Sequence, residues 1–436
     1  MKKSILLFAA AILIAMNIAP VMAMESQFGG YWYTRFFSNQ NFAGEDQSEA
    51  EDVKIVDTKT RIYYTAVFHE NLKFVNKFEF DAEWGDNTLG DIGADGKVFE
   101  IKNSYADFNL GPVNFTVGIQ GLIFGRSLLF DDDASGATVT YRSDKMDIQF
   151  FWLKAYEGGA GKNANDYDVD YWGFNPVFRF ADAWEINPFF MYIYSDDVRN
   201  WKNEDDEVIF GEEAEEVNLW YAGLSLDANF DLFSLWLTGI YQGGDMSFYT
   251  TDKNQDFSAW LAAAGASVNI GEKADIHGQF FYATGDDGKD RDWENFWVPA
   301  GQSYYWAELM GYGIIDYNYS KNSPGDQISN IMAANIGIGF KPVSNVSITL
   351  DVWYAALAED IYVLNGAQYG KADAPANASE ENYLGTEVDL IFSVELVQGM
   401  NLDLIGAYLF AGEATTLDSK NDANPYEVGA QLSLEF

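Results

Sequence analysis

The chain has 436 residues, with 67 acidic against 26 basic side chains, a formal net charge of −41 and no cysteine. That excludes a disulfide framework, a thiolate metal site and a lipid anchor on cysteine, and the sign of the charge argues against a nucleic-acid partner. With 33 Phe, 26 Tyr and 13 Trp but only 9 Pro, the chain is too aromatic for an acidic disordered protein.

Lys2 and Lys3 precede an apolar run from Ile5 to Ala15, a breaker at Pro20, and Val21-Met22-Ala23. This is the pattern of a secretory signal peptide cut after Ala23, which leaves 24–436 as one mature domain. No later run reaches the ~20 apolar residues of a membrane-spanning helix. Two-residue alternation follows instead, opening at Gln27. Ile62, Tyr64, Ala66 and Phe68 share one face, with Lys59, Arg61, Tyr63 and Thr65 on the other. After His69-Glu70-Asn71, Phe74, Phe78, Phe80, Ala82 and Trp84 alternate with Lys73, Lys77, Glu79, Asp81 and Glu83. Such alternation over ten or more residues predicts strands with one face in oil and one in water.

The connections alternate in length. Short turns are expected at 69–71, 110–112, 143–145, 181–183, 229–231, 271–273, 342–345 and 397–400. Longer polar segments are expected at 39–53, 85–97, 121–135, 156–168, 196–213, 243–255, 285–329, 357–381 and 412–424. Short turns on one rim and long loops on the other are the mark of a transmembrane antiparallel β-barrel. The spacing predicts about 18 strands, with 16 as the alternative, and both termini on the short-turn side. A barrel this wide encloses an aqueous channel unless a plug fills it, and no globular segment stands before the first strand to serve as one.

The third connection carries Leu122, Ile123, Phe124, Leu128, Leu129 and Phe130. A loop in water should not be so apolar, so it is expected to fold inward onto the barrel wall. Early strands bring Lys59, Arg61, Lys73, Lys77, Lys102 and Arg142 to the lumen face; late strands bring Asp351, Glu387, Asp389, Glu395, Asp403 and Glu427. Opposed basic and acidic walls would set up a transverse field; solvated polar residues of any kind would equally serve a lumen wall. Asp286, Asp290 and Asp292 offer oxygen ligands for weakly bound Ca²⁺, without the full twelve-residue loop pattern, so a solvated acidic surface is the other reading and no firm cofactor is expected. The longest connection, with Trp293, Phe296, Trp297, Tyr304, Tyr305 and Trp306, is expected to pack over the mouth or a neighbouring subunit, or to stack on sugar. His277 faces the lumen between Asp275 and Gln279. A barrel hydrolase would need it paired with Ser267 on the neighbouring strand, but a lone His there reads as a polar wall residue. No phosphate loop or nucleophile elbow appears, and no enzyme is expected.

At the end of the chain, Tyr426, Val428, Ala430, Leu432, Leu434 and Phe436 fall on one face, with Glu427, Gly429, Gln431, Ser433 and Glu435 on the other. Glu427, Gly429, Leu432, Leu434 and Phe436 stand as in the C-terminal signal that barrel-assembly machinery recognises, which this ending resembles. The third connection resembles that of the general porins. Val117-Gly118-Ile119-Gln120, Phe130-Asp131-Asp132-Asp133 and Gly136-Ala137 resemble porin-like barrels of sulfate-reducing and related bacteria. The resemblance implies a Gram-negative outer-membrane porin, a homotrimer in contact with lipid and lipopolysaccharide, with Arg126, Asp131, Asp132 and Asp133 at the constriction. The expected function is a passive, cation-preferring channel for ions and small hydrophilic solutes. A selective channel for organic acids or oligosaccharides, or the sheath of an electron-transfer conduit, is the alternative.

Overall fold

The computed structural model describes residues 24–41, 53–86, 91, 98–158, 167–180, 183–199, 201–202, 209–210, 213–249, 251–289, 291–311, 313–314, 327–364, 367–371, 373–415 and 424–436. The expected signal segment lies outside them. In chain order the strands are β1 (Glu25–Gln40), β2 (Val53–His69), β3 (Leu72–Glu83), β4 (Val98–Leu110), β5 (Val113–Phe124), β6 (Phe130–Arg142), β7 (Met146–Tyr156), β8 (Val169–Phe180), β9 (Trp184–Ser195) and β10 (Ala214–Asn229). They continue with β11 (Phe233–Phe248), β12 (Thr251–Ile270), β13 (Ala274–Ala283), β14 (Ile331–Val343), β15 (Val346–Leu364), β16 (Ala367–Tyr369), β17 (Ser379–Val397), β18 (Met400–Ala411) and β19 (Tyr426–Glu435). Each pairs antiparallel with its sequence neighbour. The three-residue β16 only folds back on the end of β15, and β15 pairs directly with β17. β19 closes on β1, from Tyr31↔Glu435 to Gln40↔Tyr426. The result is a closed barrel of 18 strands.

Side-chain direction follows the alternation. On β3, Phe74 (38% exposed) and Phe80 point out to where lipid lies, as does Trp84 (59%) just past its end, while Val75 and Glu79 are buried inside. Lipid removes the usual penalty on exposed apolar area, so the oily face turns outward. The short turns fall within two residues of the expected positions.

Three expected long connections are strand over much of their length; in 357–381, β15 runs on to Leu364 and β17 starts at Ser379. The β11–β12 ladder runs out to Phe248↔Thr251, so 243–255 is a tall hairpin and not a loop. Across 121–135, β5 and β6 stay paired to Phe124↔Phe130, with only 125–129 as the turn. This hairpin leaves the wall: β4 pairs with β5 only as far as Ser104↔Ile119, and β6 with β7 only from Gly136↔Leu153. The departure points are glycines. A Cβ on Gly118 (φ +133°) would strike Ser104 O, and one on Gly136 would strike Trp152 O. The third connection therefore does fold inward, as a β-hairpin.

The seam is sealed by the last residue. Gly30 N–H donates to Phe436 O at 2.8 Å, and Phe436 N–H donates to Gly30 O at 3.2 Å. A Cβ at Gly30 would collide with the Phe436 ring. Deleting Phe436, or substituting Gly30→Val, is expected to lower the heat-modifiable folded barrel in membrane fractions on a semi-native gel. Unchanged yield in both variants would mean that neither residue closes the seam.

Candidate functional site

The lumen has two unlike sides. Along β7–β15 many inward positions are apolar: Phe151, Tyr171, Met191, Leu219, Leu261 and Phe281 are all buried in one cluster. Two inward-folded segments cover it. The first is the β5–β6 hairpin, whose Phe124 rests edge-on against Phe151 and Phe189, at 5.0 and 5.3 Å between ring centroids. The second is the long connection after β13, which places Phe296, Trp306, Leu309 and Met310 in the same cluster. Trp306 meets Phe281 at 5.2 Å and Trp353 at 5.1 Å. Of the aromatics of this connection, expected at the mouth or a subunit contact, Phe296, Tyr304 and Trp306 pack on wall residues Tyr221, Phe281 and Trp353, while Trp297 packs on Trp201 and Phe210 of the connection after β9. Tyr305 alone of them is counted among the exposed large hydrophobics.

Polar bonds hold both segments. The hairpin tip runs through left-handed Gly125, Arg126 and Ser127. It projects Arg126 across the lumen, where the guanidinium donates to Asp227 at 2.6 and 2.7 Å and to Thr238 at 3.1 Å and lies over the Trp236 ring at 4.7 Å. Asp131 N–H donates to Gly301 O at 2.8 Å, linking hairpin to long connection. Residues 305–311 with 313–314 form a strap. Glu387, fully buried, accepts Leu309 N–H at 2.6 Å and Met310 N–H at 2.8 Å, and Asp389 accepts Glu308 N–H at 3.4 Å. At the other end Arg35 Nη1 donates to Ile314 O at 2.9 Å.

Between the strap and β1–β3 remains a cavity of 920 Å³, lined by Tyr33, Arg35, Asp57, Lys59, Asp81 and Glu83 on one side. Tyr305, Trp306, Glu308, Asp351 and Trp353 line the other. The expected opposition of basic and acidic walls is not what the pairing gives. Glu79, 2% exposed, takes Lys59 at 3.1 Å, Lys102 at 3.8 Å and a direct contact from Arg61. Lys59 also meets Asp81 at 3.6 Å, and Lys73 meets Asp107 at 3.4 Å. Lys77 sits over the Tyr63 ring at 5.2 Å, and Arg142 lies exposed at the short-turn end of β6. Lys59, Arg61, Lys73 and Lys102 are thus compensated in place, because acids alternate with them on the same face. Of the late acids, Asp351 lines the cavity, whereas Glu387 anchors the strap.

The acidic triplet is divided by strand alternation. Asp131 and Asp133 pair with Ile123 and Gly121, on the hairpin face where Ile123 is 62% exposed; Asp132 opposes buried Leu122. Ser127 Oγ donates to Asp131 at 2.8 Å, and Asn103 donates to Asp133. None of the three lines the cavity. Asp286 accepts Gly288 N–H, and Asp290 lies outside the described residues, as do the acidic segments 45–52 and 204–207. Among the described residues no group of three His, Cys, Asp or Glu could hold a metal ion. Ser267 stands opposite His277 in register, but both ring nitrogens of His277 bond carboxylates, Asp275 and Asp351, leaving neither for the hydroxyl. The strap and Arg35 were missed from sequence; the rule that exposed the third connection, too much apolar side chain for a water-facing loop, applies equally to Trp306-Ala307-Glu308-Leu309-Met310.

A closed 18-stranded barrel with an oily outside, and a cavity lined by charged residues beside segments folded in from its own connections, is an outer-membrane channel. Residues 27–428 match the family described as alginate export, and the chain belongs to that family. The family that matches is thus not the general porins, nor the sulfate-reducer barrels, that local motifs resemble. No curated protein matches the sequence. Among solved structures, OccAB4 of Acinetobacter baumannii is 11% identical with a TM-score of 0.56, covering 96% of this chain and 100% of its own. OpdK of Pseudomonas aeruginosa, solved with vanillate, is 11% identical with a TM-score of 0.56, covering 94% and 98%. OccK11 (OpdR) of the same organism is 11% identical with a TM-score of 0.54, covering 95% and 96%. At these identities the likeness is one of fold.

Replacing Arg126 with Ala removes charge-assisted bonds of about 1.5–3 kcal/mol that hold the hairpin tip. Single-channel conductance in planar bilayers is expected to rise and become noisier. Unchanged conductance would mean that apolar packing alone fixes the hairpin.

Proposed function

We propose that this protein is a passive channel for small cationic or uncharged hydrophilic solutes, with selectivity set in the cavity between the strap and β1–β3. The observation that carries the reading is the cavity's charge balance: among the described lining residues, the carboxylates of Asp57, Asp81, Glu83, Asp86, Glu308 and Asp351 face only Arg35 and Lys59, so an acidic excess remains after Arg35 pairs with Asp57 and Lys59 with Asp81. Both cations are already engaged, Arg35 by Asp57 and Lys59 by Glu79 and Asp81. Fixed charge at a narrow, low-dielectric passage acts strongly on a passing ion, whereas acids on the outer loops are screened within ~8 Å at physiological salt. Alginate is a polymer of uronic acids and vanillate is a carboxylate; the lining offers an anion little to bind. A sheath around a redox partner would need an open lumen, and here the hairpin and strap occupy it.

Reversal potentials across a salt gradient test the reading. The wild type is expected to prefer K⁺ over Cl⁻, and Asp81→Asn with Asp351→Asn should cut the permeability ratio severalfold. Asp131→Asn with Asp133→Asn should change it less. The reverse ranking would return selectivity to the third hairpin.

A further inference from the structure

His277, on β13, lies in a straight row across the barrel wall: it pairs with Gly337 on β14, Gly337 pairs with Asp351 on β15, and Asp351 pairs with Asp389 on β17. All four positions face the lumen. Because Gly337 has no side chain, its two neighbours meet over it: His277 Nε2 is 3.1 Å from Asp351 Oδ1, while Nδ1 is 2.7 Å from Asp275 Oδ1. A Cβ on Gly337 would collide with both Asp351 Oδ1 and His277 Nε2. Asn335 fixes the carboxylate further, donating to Asp351 Oδ1 at 2.6 Å.

This arrangement has one protonation state that satisfies it. Ionised carboxylates only accept hydrogen bonds, and a neutral imidazole has a single N–H to give. Two nitrogens facing two carboxylates therefore require an imidazolium. The ring is half-buried, and Asp351 lines the cavity. We infer that His277 is a specificity-determining residue of the channel: its positive charge masks Asp351, and its deprotonation unmasks it.

The surroundings isolate the effect. From β13 itself the ring faces Asp275, with Gln279 further along; β12 contributes uncharged Ser267, β14 contributes Gly337 and Asn335, and β15 contributes Asp351. The charges that act on it are those of Asp275 and Asp351, with Asp389 one strand beyond. Tyr304 reaches Gln279 but carries a neutral hydroxyl. Losing the imidazolium charge makes the cavity more negative, so cation preference rises with pH. The inference builds on the cavity proposed above as the selective element, but predicts a change with pH and not a baseline.

The test is the K⁺/Cl⁻ permeability ratio of the full-length channel at about pH 5 and about pH 9, which bracket the ordinary imidazole range. The wild-type ratio is expected to rise at least about twofold, the scale of one unit charge acting on an ion across about 10 Å of water. His277→Gln should hold the high-pH ratio at both values, and His277→Lys the low-pH ratio. His69→Gln should leave the wild-type rise intact. A flat wild-type ratio, or an undiminished rise in His277→Gln, overturns the proposal. Since the chain has two histidines, NMR of the His69→Gln protein reads the His277 ring alone; a ring already neutral at about pH 5 also overturns it. Anion preference at every pH would instead reject the proposed cation selectivity, leaving the His277-dependent difference to be judged separately.

Discussion

The interior of this barrel is organised by an apolar wall that cannot face water. Alternation puts one face of every strand in lipid, so the lumen face should be polar all round. Along β7–β15 it is not: Phe151, Tyr171, Leu219, Leu261, Phe281 and Trp353 point inward. Burying that wall is favourable at ~25 cal/mol per Å² of apolar surface. The chain covers it with its own connections, and the passage is displaced to the side where β1–β3 carry charge.

Covering segments that lie in a lumen need polar anchors, because their backbone amides lose water too. Glu387 answers this for the strap by accepting two successive N–H groups; the hairpin's amides pair across its own two strands, and Arg126 anchors its tip by reaching Asp227. These charges are structural although they lie on the lumen face. The same holds for Glu79, whose burial is tolerable only because Lys59, Arg61 and Lys102 surround it. A charge on a channel wall is therefore available to a solute only when no segment or neighbour has taken it.

That distinction separates what the sequence shows from what it does not. Period-two alternation fixes which face each residue takes, so the strands, the lipid face and the closing strand were legible from Ile62 to Phe436. The inward third connection was legible because Leu122, Phe124, Leu128 and Phe130 are implausible in water. The hairpin of 243–255 was not, since Gly243-Gly244-Asp245 reads as a loop; in the structure Gly243 stays in the ladder, leaving room for the Trp220 ring. Parity also assigned Glu387 and Asp351 to one wall without distinguishing an anchor from a lining group, because the strap that covers one of them arrives from 78 residues away.

Pairing across strands is the level at which the site is decided. Lys59 and Glu79 are 20 residues apart in sequence yet sit together at the cavity edge, and His277 meets Asp351 from 74 residues away only because Gly337 leaves a gap between them. The first contact depends on the register set by the short turn between β2 and β3, and the second on the register of the intervening β14, which a two-residue turn joins to β15. A one-residue slip in any short turn would reverse the faces of the next strand, turning its oily side inward and its charges to lipid. The closure of the wall and the charge of the passage are thus set by the same turns.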